Sequence, residues 1–78
     1  MSVWIKICGI TSVHDAQMVE NAGVEAIGLN FVPHSKRDIS VAQAAQISAA
    51  LGPFISRVGV FVNAPLAEVI STVKEVGM

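Results

Sequence analysis

The chain has 78 residues, of which 53 % are apolar and 14 % charged, with a formal net charge of −1. That length allows one small domain, the near-neutral balance gives no electrostatic pull toward nucleic acid or anionic lipid, and a single cysteine excludes an internal disulfide, which fits a reducing cytoplasm. No apolar run approaches the roughly 18 residues of a membrane span, and the N-terminal MSVWIKICG lacks the pattern of a signal peptide. A domain of this size buries only about 60–65 % of its unfolded surface when it folds alone, so the apolar excess points to tight oligomerisation or to a piece of something larger.

The first element expected is a strand over residues 3–8, VWIKIC, short, apolar and rich in β-branched side chains. TSVHDAQMVENAG reads as a helix. Ser12 followed by Asp15 resembles a capping box with Asp in place of Glu or Gln, and Gly23 is placed to end the helix in a left-handed conformation. AIGLNF, residues 26–31, is a second buried strand, and a polar loop, VPHSKRDI, follows it. Ser40 and Gln43 repeat the capping-box pattern. Val41, Ala44, Ala45, Ser48 and Leu51 then form a helical stripe that Gly52-Pro53 stops. RVGVFV, residues 57–62, is the third strand. Pro65 suits the first turn of a last helix, whose stripe runs through Leu66, Val69, Ile70, Val73 and Val76 to Gly77.

The order is β-α-β-α-β-α, with one βα unit in roughly 25–30 residues. Continuous apolar strands imply a parallel sheet covered by helices, joined by right-handed crossovers. A doubly wound sheet and a barrel both use such units. The turn after the first strand, CGITS, holds a single glycine, so the phosphate-cradling G-x-G-x-x-G turn is absent. Cys8, then Ser35, Lys36 and Arg37, then Asn63 cluster just after strands, the end at which both architectures bind ligands.

KICGIT at the end of the first strand, AIGLNFVPHSKRDIS, and VGVFVN before a proline-initiated helix together resemble the phosphoribosylanthranilate isomerases of tryptophan biosynthesis. The resemblance keeps the order and spacing of all three segments. It implies an α/β fold, a (βα)8 TIM barrel, of which residues 1–78 would be the first three βα units and the N-terminal portion of a single barrel domain. A whole barrel needs about 200–250 residues. The family's general acid, an aspartate on a later strand, and its phosphate site near the seventh and eighth strands fall outside this sequence, so the isolated chain is expected to be inactive. Where the family commonly has an aromatic residue after the loop arginine, this chain has Asp38.

The implied reaction is an Amadori rearrangement of a phosphoribosyl amine to a 1-amino-1-deoxyribulose phosphate, without metal or cofactor. It needs an acid at the ring oxygen and a base at the neighbouring carbon. By the resemblance Cys8 is that base, against the plain reading of a small buried core cysteine. Arg37 would grip the substrate's ring carboxylate through its planar fork, against the reading of a solvated loop residue. Gly9 would let the backbone turn beside the substrate. Lys6 shares a strand face with Cys8 and either pairs with a carboxylate from elsewhere or snorkels to water. Ser35 and Lys36 read as loop structure and solubility, His14 and His34 as surface residues, and Asn63 as a turn or cap.

The resemblance also implies a small-molecule phosphoribosyl partner, no nucleic acid or membrane partner, and a cytoplasmic setting. It allows a homo-oligomer or a fusion to another tryptophan-pathway enzyme. Another phosphosugar barrel, or a non-catalytic βα module that folds by oligomerising, are the alternative readings of the same elements.

Overall fold

The computed structural model describes residues 3–78. Its elements run β1 (Lys6–Ile7), α1 (Val13–Asn21), β2 (Ala26–Asn30), α2 (Val41–Ala50), β3 (Ser56–Val60) and α3 (Leu66–Val76). The three strands form one parallel sheet in the order β1-β2-β3. Lys6 pairs with Ala26, Ala26 with Ser56, and the second ladder continues to Asn30 opposite Val60.

The helices occupy one side of that sheet. Ile27 and Leu29, from one face of β2, cluster with Ala16 of α1, Ala44 and Ile47 of α2, and Val76 of α3. Consecutive helices pack on each other, α1 on α2 and α2 on α3. A doubly wound sheet would divide its helices between two faces. Helices in sequence along one face, over strands in sequence, are the wall of a barrel. Ile27, Leu29 and Ile47 are fully buried, and each such side chain stabilises the fold by roughly 1.5–3 kcal/mol. No described helix is long and apolar enough to cross a membrane.

The first strand is shorter than its apolar run. Ile5 accepts backbone bonds from Glu25 and Ala26 at 3.1 and 3.3 Å, but its own N–H donates to the Glu25 carboxylate at 3.0 Å, so a side chain interrupts the ladder there. At the other end Gly9 and Ile10 both donate to the Gly28 carbonyl, at 3.1 and 3.2 Å, as the chain turns away. The two ladder residues of β1 are also exposed, because the strand has a neighbour on one edge alone among the described residues.

Both serine caps form. Ser12 Oγ accepts from Asp15 N and Ser40 Oγ from Gln43 N, each at 3.1 Å. The reciprocal half of the second capping box is replaced: Gln43 Nε2 donates to the Thr11 carbonyl at 3.0 Å and ties α2 to the loop after β1. Pro65 sits one position before the last helix, as its N-cap. The stripe predicted for α3 divides. Val76 is buried and Val69 and Val73 are half-buried, whereas Leu66 is 74 % and Ile70 46 % exposed. A closed ring flanks each helix with two neighbours, and among the described residues the helix packed closely on α3 is α2.

The far end of α2 is held by a residue that looks like an ordinary strand starter. Arg57 points into the helix layer and donates to five oxygens: Ser48 Oγ, and the carbonyls of Ser48, Leu51, Gly52 and Ile55, at 2.6–3.1 Å. A helix C-terminus leaves its last carbonyls without intrahelical partners and carries partial negative charge, and the guanidinium answers both. Arg57→Ala is therefore expected to lower stability by about 2–3 kcal/mol, the cost of orphaning carbonyls that had a charged donor. Arg57→Lys should recover less than half of it, because an ammonium lacks the planar fork. Urea unfolding checks this, and an unchanged midpoint for Arg57→Ala would contradict the anchoring role.

Candidate active site

Side chains alternate across a strand, so the face of the sheet away from the helices carries Lys6 and Cys8, then Ala26, Gly28 and Asn30, then Ser56, Val58 and Val60. Cys8 is exposed, just past the end of β1. Its thiol lies directly over Gly28 of the neighbouring strand. A methyl group added at Gly28 would stand 3.0 Å from both Cys8 Cα and Cys8 Sγ. Gly28 is thus the floor on which the cysteine rests, and no larger residue fits there without moving the β1 backbone.

The next residue, Gly9, has φ +76°, a conformation that side-chain-bearing residues adopt at a cost. The loop after β2 comes back over it: a methyl group at Gly9 would meet Arg37 Cδ at 3.0 Å and Nη1 at 3.1 Å. The two loops that follow β1 and β2 therefore bring Cys8, Gly9 and Arg37 together at the C-terminal end of the sheet, although 28 positions separate Arg37 from Gly9. Cys8 and Arg37 are both exposed there, open to a ligand on the face opposite the helices. Chemically the pair offers a cysteine sulfur that can take a proton once its own has left, and a planar cation that can hold a carboxylate.

The remaining candidates fall outside this group. Lys6 is exposed at the start of β1, on the Cys8 face. His14 and His34 are exposed, and His34 has φ +66° within the loop after β2. Asn63, at φ +55°, makes the turn before α3 but does not cap it, since no side chain caps that helix. Lys36 is exposed. Ser35 Oγ accepts from the Asn30 side chain and the Arg37 backbone. Among the described residues no group of three or more His, Cys, Asp or Glu side chains is placed to hold a metal ion. The sequence reading did not single out Gly28 or Asn30. The only signal was position, since both lie in step with Cys8 once the parallel register is known.

On the helix side of the same end, the Phe31 and Phe61 rings stack with centroids 5.1 Å apart. They line a cleft of about 330 Å³ together with Val41, Asn63, Pro65 and Glu68. The sheet separates that cleft from Cys8.

Comparison with known proteins gives one family. The family model for N-(5′-phosphoribosyl)anthranilate (PRA) isomerase matches residues 5–78. The N-(5′-phosphoribosyl)anthranilate isomerase of Azotobacter vinelandii is 56 % identical over 64 residues, which are 82 % of this chain and 31 % of the relative. A crystal structure of phosphoribosylanthranilate isomerase in complex with reduced 1-(o-carboxyphenylamino)-1-deoxyribulose 5-phosphate superposes with a TM-score of 0.96 at 43 % identity, covering 99 % of this chain and 40 % of that one. Monomers of the dimeric phosphoribosylanthranilate isomerase from Thermotoga maritima superpose with a TM-score of 0.93 at 40 % identity, covering 99 % and 39 %. The chain spans about a third of the length of the curated relatives it matches.

The close contact at Gly28 is testable by contrast. Gly28→Ala is expected to cost about 1–3 kcal/mol through overpacking and to shift the amide resonances of Cys8 and Gly9. Gly23→Ala, at φ +88° with open space around it, should cost a comparable 1–2 kcal/mol or so through backbone strain and leave Cys8 untouched. Identical Cys8 resonances in the two variants would remove Gly28 from the site.

Proposed function

Since this chain belongs to the N-(5′-phosphoribosyl)anthranilate isomerase family, we propose that residues 1–78 are the N-terminal portion of a single barrel domain. The reaction of that domain is the Amadori rearrangement of N-(5-phosphoribosyl)anthranilate to 1-(2-carboxyphenylamino)-1-deoxyribulose 5-phosphate, a step of tryptophan biosynthesis. The observation that carries the reading is the meeting of Cys8, Gly9 and Arg37 at the C-terminal end of the strands, the end at which barrel enzymes place their chemistry.

In the proposed mechanism an acid from a later strand protonates the furanose ring oxygen. The C1–O bond breaks as the nitrogen lone pair forms a C1=N iminium. Cys8, as thiolate, then removes the proton from C2. The C–H electron pair becomes the C1=C2 bond of an enaminol, and the iminium π pair returns to nitrogen. Ketonisation of the enaminol delivers the product, with no metal or cofactor in the scheme. The cationic iminium acidifies the C2 proton that the Cys8 sulfur takes. Arg37 holds the ring carboxylate in a two-point grip, which fixes the anthranilate end while the sugar reacts. Gly9 keeps the turn between them free of side-chain atoms. The phosphate is bound by later strands.

A biosynthetic step on a phosphorylated small molecule fits a cytoplasmic enzyme. The dimeric relative from Thermotoga maritima supports a homo-oligomeric partner. Fusion to another enzyme of tryptophan biosynthesis is a second arrangement that the parent barrel would accommodate.

Two substitutions in the full-length enzyme test the roles. Cys8→Ala should cut kcat by roughly 10²–10⁴-fold with the fold intact, the usual loss for a positioned base, in an assay that follows anthranilate fluorescence. Turnover near that of the wild type would reject Cys8 as the base. Arg37→Lys keeps the charge and loses the fork, so kcat/KM should fall about tenfold or more. Equal efficiencies would make Arg37 a loop residue only.

A further inference from the structure

Asn30 is the one polar side chain that β2 places on the Cys8 face, two residues beyond Gly28. Both of its side-chain polar atoms bind the loop that follows. Oδ1 accepts from Val32 N at 2.8 Å, and Nδ2 donates to Ser35 Oγ at 3.0 Å. Ser35 Oγ in turn accepts from Arg37 N at 3.3 Å, so both acceptor positions of that hydroxyl are occupied. The Asn30 carbonyl accepts from Ile39 N at 3.0 Å, and a parallel bridge joins Asn30 to Asp38. The loop thus leaves Asn30, is held to it at its middle, and returns to it. Within that span His34 adopts φ +66°, a conformation that a non-glycine residue keeps only where its surroundings impose it.

We infer that Asn30 is a positioning residue that, through Ser35, sets the backbone from which Arg37 reaches over Gly9, and thereby sets the preference for a ligand whose aromatic ring carries a carboxylate. The inference rests on the proposed role of Arg37. A guanidinium–carboxylate pair is directional, and a displacement of about 1 Å at a group that orients substrate can cost on the order of 10²-fold. In this scheme Asn30 acts through the loop, its side-chain oxygen bound to Val32 and its amide nitrogen to Ser35.

The test uses the full-length enzyme and two ligands: reduced 1-(o-carboxyphenylamino)-1-deoxyribulose 5-phosphate, and the same compound without the ring carboxylate. Titration calorimetry gives the ratio of their dissociation constants. Wild type should favour the carboxylate form by roughly 10–100-fold, the value of hydrogen bonds to a charged group. Asn30→Leu, close in size and unable to hydrogen-bond, should shrink that ratio about three- to tenfold while changing the affinity of the carboxylate-free ligand less than twofold. Ser35→Ala should do the same and Ser35→Thr, which keeps a hydroxyl, should not; this pair carries the test if Asn30→Leu fails to fold. In an Arg37→Ala background Asn30→Leu should leave the ratio unchanged. Equal weakening of both ligands by Asn30→Leu, or an unaltered ratio, overturns the inference. A wild-type enzyme with no preference for the carboxylate instead refutes the reading of Arg37.

Discussion

The approach of β1 to β2 at Gly28 is the constraint on which the site depends. Cys8 has its thiol where it is because the opposing strand carries no side chain at that point, and a methyl group there would already meet Cys8 Cα at 3.0 Å. The same carbonyl that ends the ladder, Gly28 O, receives two donors, Gly9 N and Ile10 N. That double acceptance stops β1 and starts the turn, and the turn needs the positive φ of Gly9. The turn in turn leaves Gly9 bare, so that Arg37 can lie across it. Two glycines, one in a strand and one in a loop, make the space in which a thiol and a guanidinium can face a common ligand.

That arrangement is held from the opposite end of the sheet. Arg57 closes the carbonyl end of α2, and Glu20 of α1 accepts from Gly52 N at 2.6 Å just beyond it. With its C-terminus fixed to β3, α2 presents its N-terminus at the site end, where Ser40 caps it and Gln43 reaches the Thr11 carbonyl. The loop that carries Arg37 is therefore bounded by β2 on one side and by an anchored helix on the other. The burial of Ile27, Leu29 and Ile47 supplies the apolar driving force. The polar contacts decide where it places the loops.

The order of elements was legible in the sequence because each helix is punctuated: Ser12 and Ser40 do cap, and Gly23 and Gly77 do turn left-handed. The resemblance points to Cys8, Gly9 and Arg37, and the fold brings them together. The features that the sequence does not show depend on contacts between distant positions. The shortening of β1 at its start comes from the Glu25 side chain, 20 residues on. Arg57 stands in an apolar run and reveals its partners only once α2 lies over β3. Leu66 and Ile70 share a helical stripe with buried residues, but periodicity does not say how many neighbours a helix has, and they are exposed. Gly28 and Asn30 acquire meaning from register alone, because a shift of one residue would send both to the helix side.

The two faces of β2 serve different neighbours, the helix layer on one side and the candidate site on the other. Ile27 and Leu29 face the helices and are fully buried, while Gly28 and Asn30, between and beyond them, serve Cys8 and the loop. A parallel strand covered on both faces usually shows a continuous apolar run, and AIGLN departs from it at these two positions. A glycine in a strand interior weakens it, and an asparagine is disfavoured there. Both are tolerated because the cost is recovered locally, through the close strand contact in one case and through two side-chain hydrogen bonds to the following loop in the other. The departures from good strand composition therefore mark the side of the sheet on which the ligand is expected, and they do so independently of any single catalytic side chain.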